Sequence, residues 1–241
     1  MPIGEVLLQK SMWNVNYIGH SGFLVELEKC YLLFDYYEGK LPVLSCDKPL
    51  FLLASHFHAD HFNPEVFELL KEQKQVLGVF DRGIFRGRTP ETMERWFVKH
   101  NQSYELLMGV GVETLKSTDA GVAFLVTVGD KTIYHGGDLN DWYWEGETEA
   151  DNQRMTEKYR KEIDKLADRK IDVAFVPLDP RQEKDYARGM VYFLETTKAE
   201  NVVPMHFWKQ AEVMDRFLAE YPRFEGRIIP LRNPLDKVSL E

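Results

Sequence analysis

The stretch "FLLASHFHADHF", residues 51–62, sets His56, His58, Asp60 and His61 directly behind an apolar run. A short apolar run of this kind reads as a strand buried on both faces, so the four side chains fall at a strand end. In an extended loop, residues two apart point the same way, and His56 and His58 can therefore grip one cation. Asp60 and His61 precede a helix start marked by Asn63 as N-cap and Pro64 as first helical residue. Adjacent side chains diverge there, so this pair can serve a second cation a short distance away. Neutral imidazole and carboxylate suit zinc, and also manganese or iron. A lone histidine more often satisfies a core hydrogen bond; three of them with an aspartate inside six residues read as a metal-binding element.

The sequence on either side supplies a frame for such an element. "VNYIGHSGFLVELE" and "CYLLFDYY" are rich in β-branched and aromatic residues and read as strands, with Glu28 and Lys29 as the turn between them. "QVLGVF" is a further strand, and "TPETMERWFVKH" is read as a short helix. The second half opens on "GVAFLVTVGDKTIYHGGD", two strands around a Gly-Asp turn. Residues 147–168 form a helix by their pattern, with Met155, Tyr159, Ile163 and Leu166 on one face. "DVAFVPLD" and "NVVPMHF" read as strands, and 184–199 and 209–220 as helices. Strands then helices, twice over, predict two β-rich halves packed sheet to sheet with helices outside, in one domain spanning 1–241.

Bulk properties narrow the function. At 241 residues the chain can bury a substantial core, and its formal charge of −9 opposes a phosphate backbone, which disfavours a nucleic-acid partner. Cys30 and Cys46 are too few for a disulfide framework and are expected as reduced thiols. No basic start with an apolar run behind it opens the chain, and no run approaches the ~18–20 residues that span a bilayer. A cytoplasmic protein acting on a small molecule is the expectation.

A metal centre needs ligands from elsewhere in the chain. Asp138, in "YHGGDLN", follows a strand and two glycines, and a carboxylate there can bridge two metals. His206, in "VVPMHFW", also stands at a strand end.

With "SHFHADH", an Asp after a Gly-containing strand end and a His after a late strand, the chain resembles the metallo-β-lactamase-fold superfamily of metal-dependent hydrolases. "GHSGFLVE", "LLFDYY" and "VPLDPR" resemble the branch akin to L-ascorbate-6-phosphate lactonase-like bacterial proteins. The resemblance implies an α/β (α+β) fold, a four-layer αβ/βα sandwich with metals at one edge of the two sheets. It implies that His56 and His58 hold the first metal, that Asp60, His61 and His206 hold the second, and that Asp138 bridges. It also makes Asp35 a group that orients a ligand histidine.

One position departs from that pattern. The family supplies a further histidine to the first metal, just before the strand that opens the second half, where this chain reads "LKSTDAGVAFLV". Ser117 stands about where the histidine belongs, with Asp119 two residues later. Three arrangements are open. Asp119 replaces the histidine; or His135, His100 or His20 swings in; or the first site is weak or empty. An oxygen-richer site favours Mn²⁺ or Fe²⁺ more than a histidine-rich one does, with Zn²⁺ still the first expectation.

The chemistry expected is hydrolysis of an ester, lactone, amide or phosphodiester bond by metal-activated water, with Asp60 and Asp138 as catalytic residues. Asp60 is placed to orient the attacking water and shuttle a proton. Trp142, Tyr143, Trp144, Phe207 and Trp208 can line a ring-binding cleft or pack the sandwich edge. Arg181 can anchor an anionic group or bridge to Asp185. Two other classes stand beside this one: a flavodiiron-like redox module, which has Glu where His58 stands, and a non-catalytic or regulatory metal-binding protein with a degenerate first site.

Overall fold

A computed structural model describes residues 12–241 of the chain; the expectation that no leader opens the chain bears on residues outside that range. The first sheet is built from β1 (Trp13–Gly19), β2 (Gly22–Glu26), β3 (Tyr31–Phe34), β4 (Leu50–Ala54), β5 (Val76–Asp81) and β6 (Glu94–Val98). The second holds β7 (Ser103–Glu105), β8 (Val110–Lys116), β9 (Val122–Val128), β10 (Lys131–His135), β11 (Val173–Pro177) and β12 (Asn201–Met205). A last strand, β13 (Lys237–Leu240), returns to pair with β1, so the sheet orders are β13-β1-β2-β3-β4-β5-β6 and β12-β11-β10-β9-β8-β7. Each sheet is antiparallel on one side and parallel on the other, with β3–β6 parallel in the first and β10–β12 parallel in the second.

The period-two pattern decides which residues meet between the sheets. Phe23, Val25, Leu32, Phe34, Phe51 and Leu53 face inward and join Phe124, Val126, Ile133 and Phe175 in the main core. Their alternates Leu24, Leu33, Leu50 and Leu52 point outward and pack beneath Phe62, Val66 and Leu70. Over the second sheet lie α2 (Glu149–Ile163) and α3 (Arg188–Thr196), where Phe193 stacks on Tyr134 at 5.2 Å. The two-sheet sandwich with helices outside is the α/β architecture expected from the sequence. The Thr148 side chain accepts from the Asp151 amide to cap α2, and Glu149 and Asp151 fill its first turn, where acidic groups meet the positive end of the helix dipole.

Several local expectations change. The segment read as a helix over 89–100 contains β6, because Trp96 and Val98 pack on the main core while Phe97 turns to the outer cluster, a strand alternation that parallel pairing with β5 secures. The helix after Asn63 starts later than expected, with Glu65 rather than Asn63 at its N-cap, and runs one turn only (α1, Val66–Leu69), leaving Leu69 exposed; the Asn63 side chain accepts from the Glu65 amide in the turn ahead of it. Besides β6, the strands β7, β8 and β13 go beyond those predicted, and "VNYIGHSGFLVELE" is two strands, β1 and β2, rather than one. Cys30 is buried and Cys46 exposed, both as free thiols. No helix among the described residues is long and apolar enough to cross a membrane.

The two sheets are tied together where the histidine loop begins. The Val122 amide donates to the Ser55 carbonyl at 3.0 Å, and Gly121, at φ +70°, lies under it so tightly that a Cβ would stand 2.0 Å from that oxygen. Gly121→Ala is therefore expected to destabilise the fold by about 3 kcal/mol, from left-handed strain plus overpacking. Thermal melting checks this, and an unchanged midpoint would mean that the contact relaxes freely.

Candidate metal centre

Every element that feeds the centre delivers its residue from a strand end or a turn on one edge of the sandwich. His56 to His61 follow β4, Asp35 follows β3, Asp138 follows β10 and His206 follows β12. His20 occupies the two-residue turn between β1 and β2, and Asp119 the turn between β8 and β9. Their side chains gather into two abutting groups whose donor atoms lie within 4.8 Å of one another. One is His56, His58, Asp119 and Asp138; the other is His20, Asp60, His61 and His206.

Asp138 faces both. Its Oδ2 is 3.4 Å from His56 Nε2, while its Oδ1 is 3.1 Å from His61 Nε2 and 3.3 Å from His206 Nε2. His58 Nδ1 lies 2.9 Å from His56 Nε2 and 3.7 Å from Asp119 Oδ2, so Asp119 does come to the position left without a histidine. Of the histidines weighed for that place, His20 does enter the centre, but on the opposite side, with Nε2 3.3 Å from Asp60 Oδ2. His135 stays out. It is fully buried, with Nε2 on the Ser21 carbonyl, Nδ1 accepting from the Gly137 amide and its ring stacked on Phe34, so it neither swings in to the first donor set nor faces the cavity. His100 is exposed and belongs to neither group. Ser117 is buried, and its Oγ accepts from the Asp119 amide, which fixes the turn that presents Asp119.

Two buried carboxylates aim the ligand-type histidines. Asp35 Oδ2 takes His61 Nδ1 at 2.7 Å, and the same carboxylate accepts from the Ser55 amide and hydroxyl. Asp179 Oδ2 takes His206 Nδ1 at 3.0 Å. Holding Nδ1–H in this way fixes the tautomer that leaves Nε2 free for a cation. Asp179 was not singled out from the sequence, although "VPLD" is like "LLFD" in setting an aspartate just past a buried strand, two residues beyond β11 against one beyond β3. Arg181 does not bridge to Asp185. It pairs with Asp179 through Nε and Nη2 and lies 4.5 Å over the Trp208 ring. Backbone strain concentrates here, with His20, Asp35, His206 and Trp208 all at positive φ between 40° and 64°.

A cavity of about 410 Å³ opens on both groups, walled by Trp142, Trp144, Trp208 and Arg181. Trp142 is anchored by its Nε1–H to the Asp138 carbonyl, and its ring stacks parallel to that of Trp144. Tyr143 and Phe207 are not part of this wall; Tyr143 bonds Glu149 outside it and Phe207 packs on Tyr17 in the core.

Burial pushes the His20 imidazolium pKa down to about 4 against the pull of Asp60, and pushes His56 down to about 4 as well, so both are neutral at pH 7. Burial acts the same way on His61 and His206, but Asp138 with Asp35, and Asp138 with Asp179, outweigh it and raise both. Burial would raise Asp138, yet His61 and His206 hold it well below the usual carboxylate range. Burial likewise opposes ionisation of Asp60, and the His20 contact and the His61 charge overcome it.

Among the described residues, His20 Nε2, His61 Nε2 and Asp138 Oδ1 are buried with no hydrogen-bond partner, although carboxylate and imidazole atoms stand 3.1–3.3 Å apart. Such close but unaligned donors are costly in a centre without a cation and natural in one built around it. The residues fit a metal centre.

The profile of the beta-lactamase superfamily domain matches residues 14–153, more than half of the chain. The chain belongs to the beta-lactamase superfamily. Among curated relatives of this superfamily member, a UPF0173 metal-dependent hydrolase of Carboxydothermus hydrogenoformans is 26% identical over 217 residues, covering 80% of this chain and 84% of the relative. In fold, the superfamily member is similar to Igni18, a metallo hydrolase of the archaeon Ignicoccus hospitalis, at TM-score 0.71 and 16% identity, over 96% of this chain and 99% of that one. It is also similar to Zn²⁺-bound PqqB of Methylobacterium extorquens, at TM-score 0.60 and 11% identity, over 96% of this chain and all of that one.

Proposed function

We propose that this protein is a metal-dependent hydrolase that uses two adjacent divalent cations to cleave an ester, lactone, amide or phosphodiester bond in a small molecule. The observation that carries the reading is Asp138, whose two carboxylate oxygens face two different sets of imidazole and carboxylate donors. His56, His58, Asp119 and Asp138 would hold one cation, and His20, Asp60, His61 and His206 the other, with Asp138 shared. When bound, such cations supply Lewis acidity that lowers the pKa of water towards roughly 7 and polarises the bond to be cleaved.

The chain's own residues do the rest. Asp60, ionised and at the cavity edge, would orient the attacking water by accepting its O–H. The Trp142, Trp144 and Trp208 rings exclude solvent and hold a flat or apolar part of the substrate. Arg181, half exposed while paired to Asp179, offers its remaining charge to an anionic group.

Reconstituted with Zn²⁺, and separately with Mn²⁺, the protein is expected to turn over at least one member of a panel of small esters, lactones, amides and phosphodiesters. Chelation should stop that turnover and added metal restore it. Stoichiometric metal with no turnover anywhere on the panel would sink the hydrolase reading and favour a metal-binding regulator, for which the exposed Asp119 in one donor set is the supporting observation.

A further inference from the structure

The two donor sets are unequal in chemistry, rigidity and exposure. The set around His61 contains three buried imidazoles, from His20, His61 and His206, with one carboxylate. Two of these rings are locked by buried carboxylates, His61 by Asp35 and His206 by Asp179. His20 is locked differently. Its backbone is left-handed at φ 52°, its carbonyl accepts from the His206 amide, and its ring packs at 4.2 Å from that of His206 and 4.4 Å from that of Trp208. It is 8% exposed, and its Nε2 has no hydrogen-bond partner among the described residues while facing Asp60 and His61.

The other set contains two imidazoles and two carboxylates. Of its two imidazoles only His56 is buried and oriented, through Nδ1 to the Ser55 hydroxyl. The His58 side chain is 39% exposed and the Asp119 side chain 52% exposed. Neither is fixed by a buried carboxylate, and the pair stands 3.7 Å apart.

We propose that His20 is a metal ligand that gives one metal position a third imidazole while the other has only two, creating a tight, nitrogen-rich position at His20, Asp60, His61 and His206 beside a labile, nitrogen-poorer one at His56, His58 and Asp119, with Asp138 facing both. The physical reason is twofold. Imidazole-rich sets suit zinc, whereas carboxylate-rich sets favour harder cations such as Mn²⁺, Fe²⁺ or Mg²⁺. Buried carboxylates behind ligand histidines are each worth on the order of 10–100-fold in metal affinity, and the tight position has two of them. The positions therefore fill in order and exchange at different rates. Asp138 couples them, since one oxygen faces each set. The inference rests on the metal-binding part of the proposed function and not on hydrolysis.

Titration of the chelator-stripped full chain with Zn²⁺, followed by calorimetry and by metal analysis after dialysis, tests it. The native chain should bind two equivalents in steps separated by about 100-fold or more, and dialysis against Mn²⁺ should exchange only the second. His20→Asn, a residue that tolerates left-handed backbone, should weaken the first step about 10-fold or more and leave the second. Asp119→Ala should remove the second step alone, and Asp119→His should tighten it and draw the two together. Co²⁺ absorption, read on the same variants, reports loss or gain of a nitrogen donor independently of turnover.

Two equal steps in the native chain, a first step untouched by His20→Asn, or a second step untouched by Asp119→His would each overturn the proposal. If His20→Asn fails to fold, the Asp119→His gain and the Mn²⁺ exchange decide alone. Absence of any metal binding would sink the metal reading as a whole. Two unequal steps without turnover would leave this inference standing and sink only the hydrolase.

Discussion

Replacing Asp138 by alanine is expected to lower turnover by ~10³-fold or more, the equivalent of about 4 kcal/mol of lost stabilisation at the reacting bond. It should also weaken metal binding at both positions, because Oδ1 faces His61 and His206 while Oδ2 faces His56. Among the described residues of the centre, Asp138 is the side chain that places one oxygen against each set of imidazoles. His58→Ala, which touches one set only, should spare the tight position, so the pair of variants separates a shared ligand from an ordinary one. Asp138→Ala also removes the main influence that raises His61 and His206 in the metal-free chain, so both pKa values should fall. The checks are metal content after dialysis, turnover on whichever panel substrate is active, and imidazole titration by NMR. Full metal binding in Asp138→Ala would remove the shared-ligand role.

Much of this centre is legible in the sequence because its residues sit where chain geometry alone brings them. His56, His58, Asp60 and His61 are local, and Asp138 and His206 follow apolar runs whose strand ends must share an edge once the sheets pack. Asp35 is readable for the same reason. What escapes is whatever depends on contacts distant in sequence. Asp179 looks like an ordinary loop aspartate until β11 is seen to lie beside β12, which sets it against His206. His20 joins the second donor set because the β1–β2 turn leans across the sandwich edge, and its left-handed backbone carries no signal in a non-glycine residue. The strand at 94–98 is lost for a related reason, since its charged flanks imitate a helix face and only pairing with β5 decides otherwise.

Asp35→Asn should produce the largest effect of any substitution outside the metal-facing residues. The carboxylate is fully buried and acts as acceptor three times: from the Ser55 amide at 2.7 Å, the Ser55 hydroxyl at 2.6 Å and His61 Nδ1 at 2.7 Å. An amide of the same size keeps one acceptor oxygen and turns the other position into a donor. If that oxygen stays on the Ser55 amide, an NH₂ group then meets both the Ser55 hydroxyl and the His61 Nδ1–H, where acceptors are required. The Ser55 hydroxyl, which also contacts His56 Nδ1, must then turn its proton away from position 35, so the disturbance reaches the donor set that holds His56. His61 must release its Nδ1 proton and carry it on Nε2, the nitrogen aimed at Asp138 and the cation. Breaking a buried charged contact of this kind costs about 3–5 kcal/mol of stability, and misdirecting the ring costs on the order of 10–100-fold in metal affinity. Because Asp35 touches neither the cavity nor a donor atom of the opposite face, KM on an active substrate should move far less than kcat. Melting, metal titration and steady-state rates measure the three effects separately. A variant that melts like the native chain and binds metal as tightly would show that His61 keeps its tautomer without Asp35.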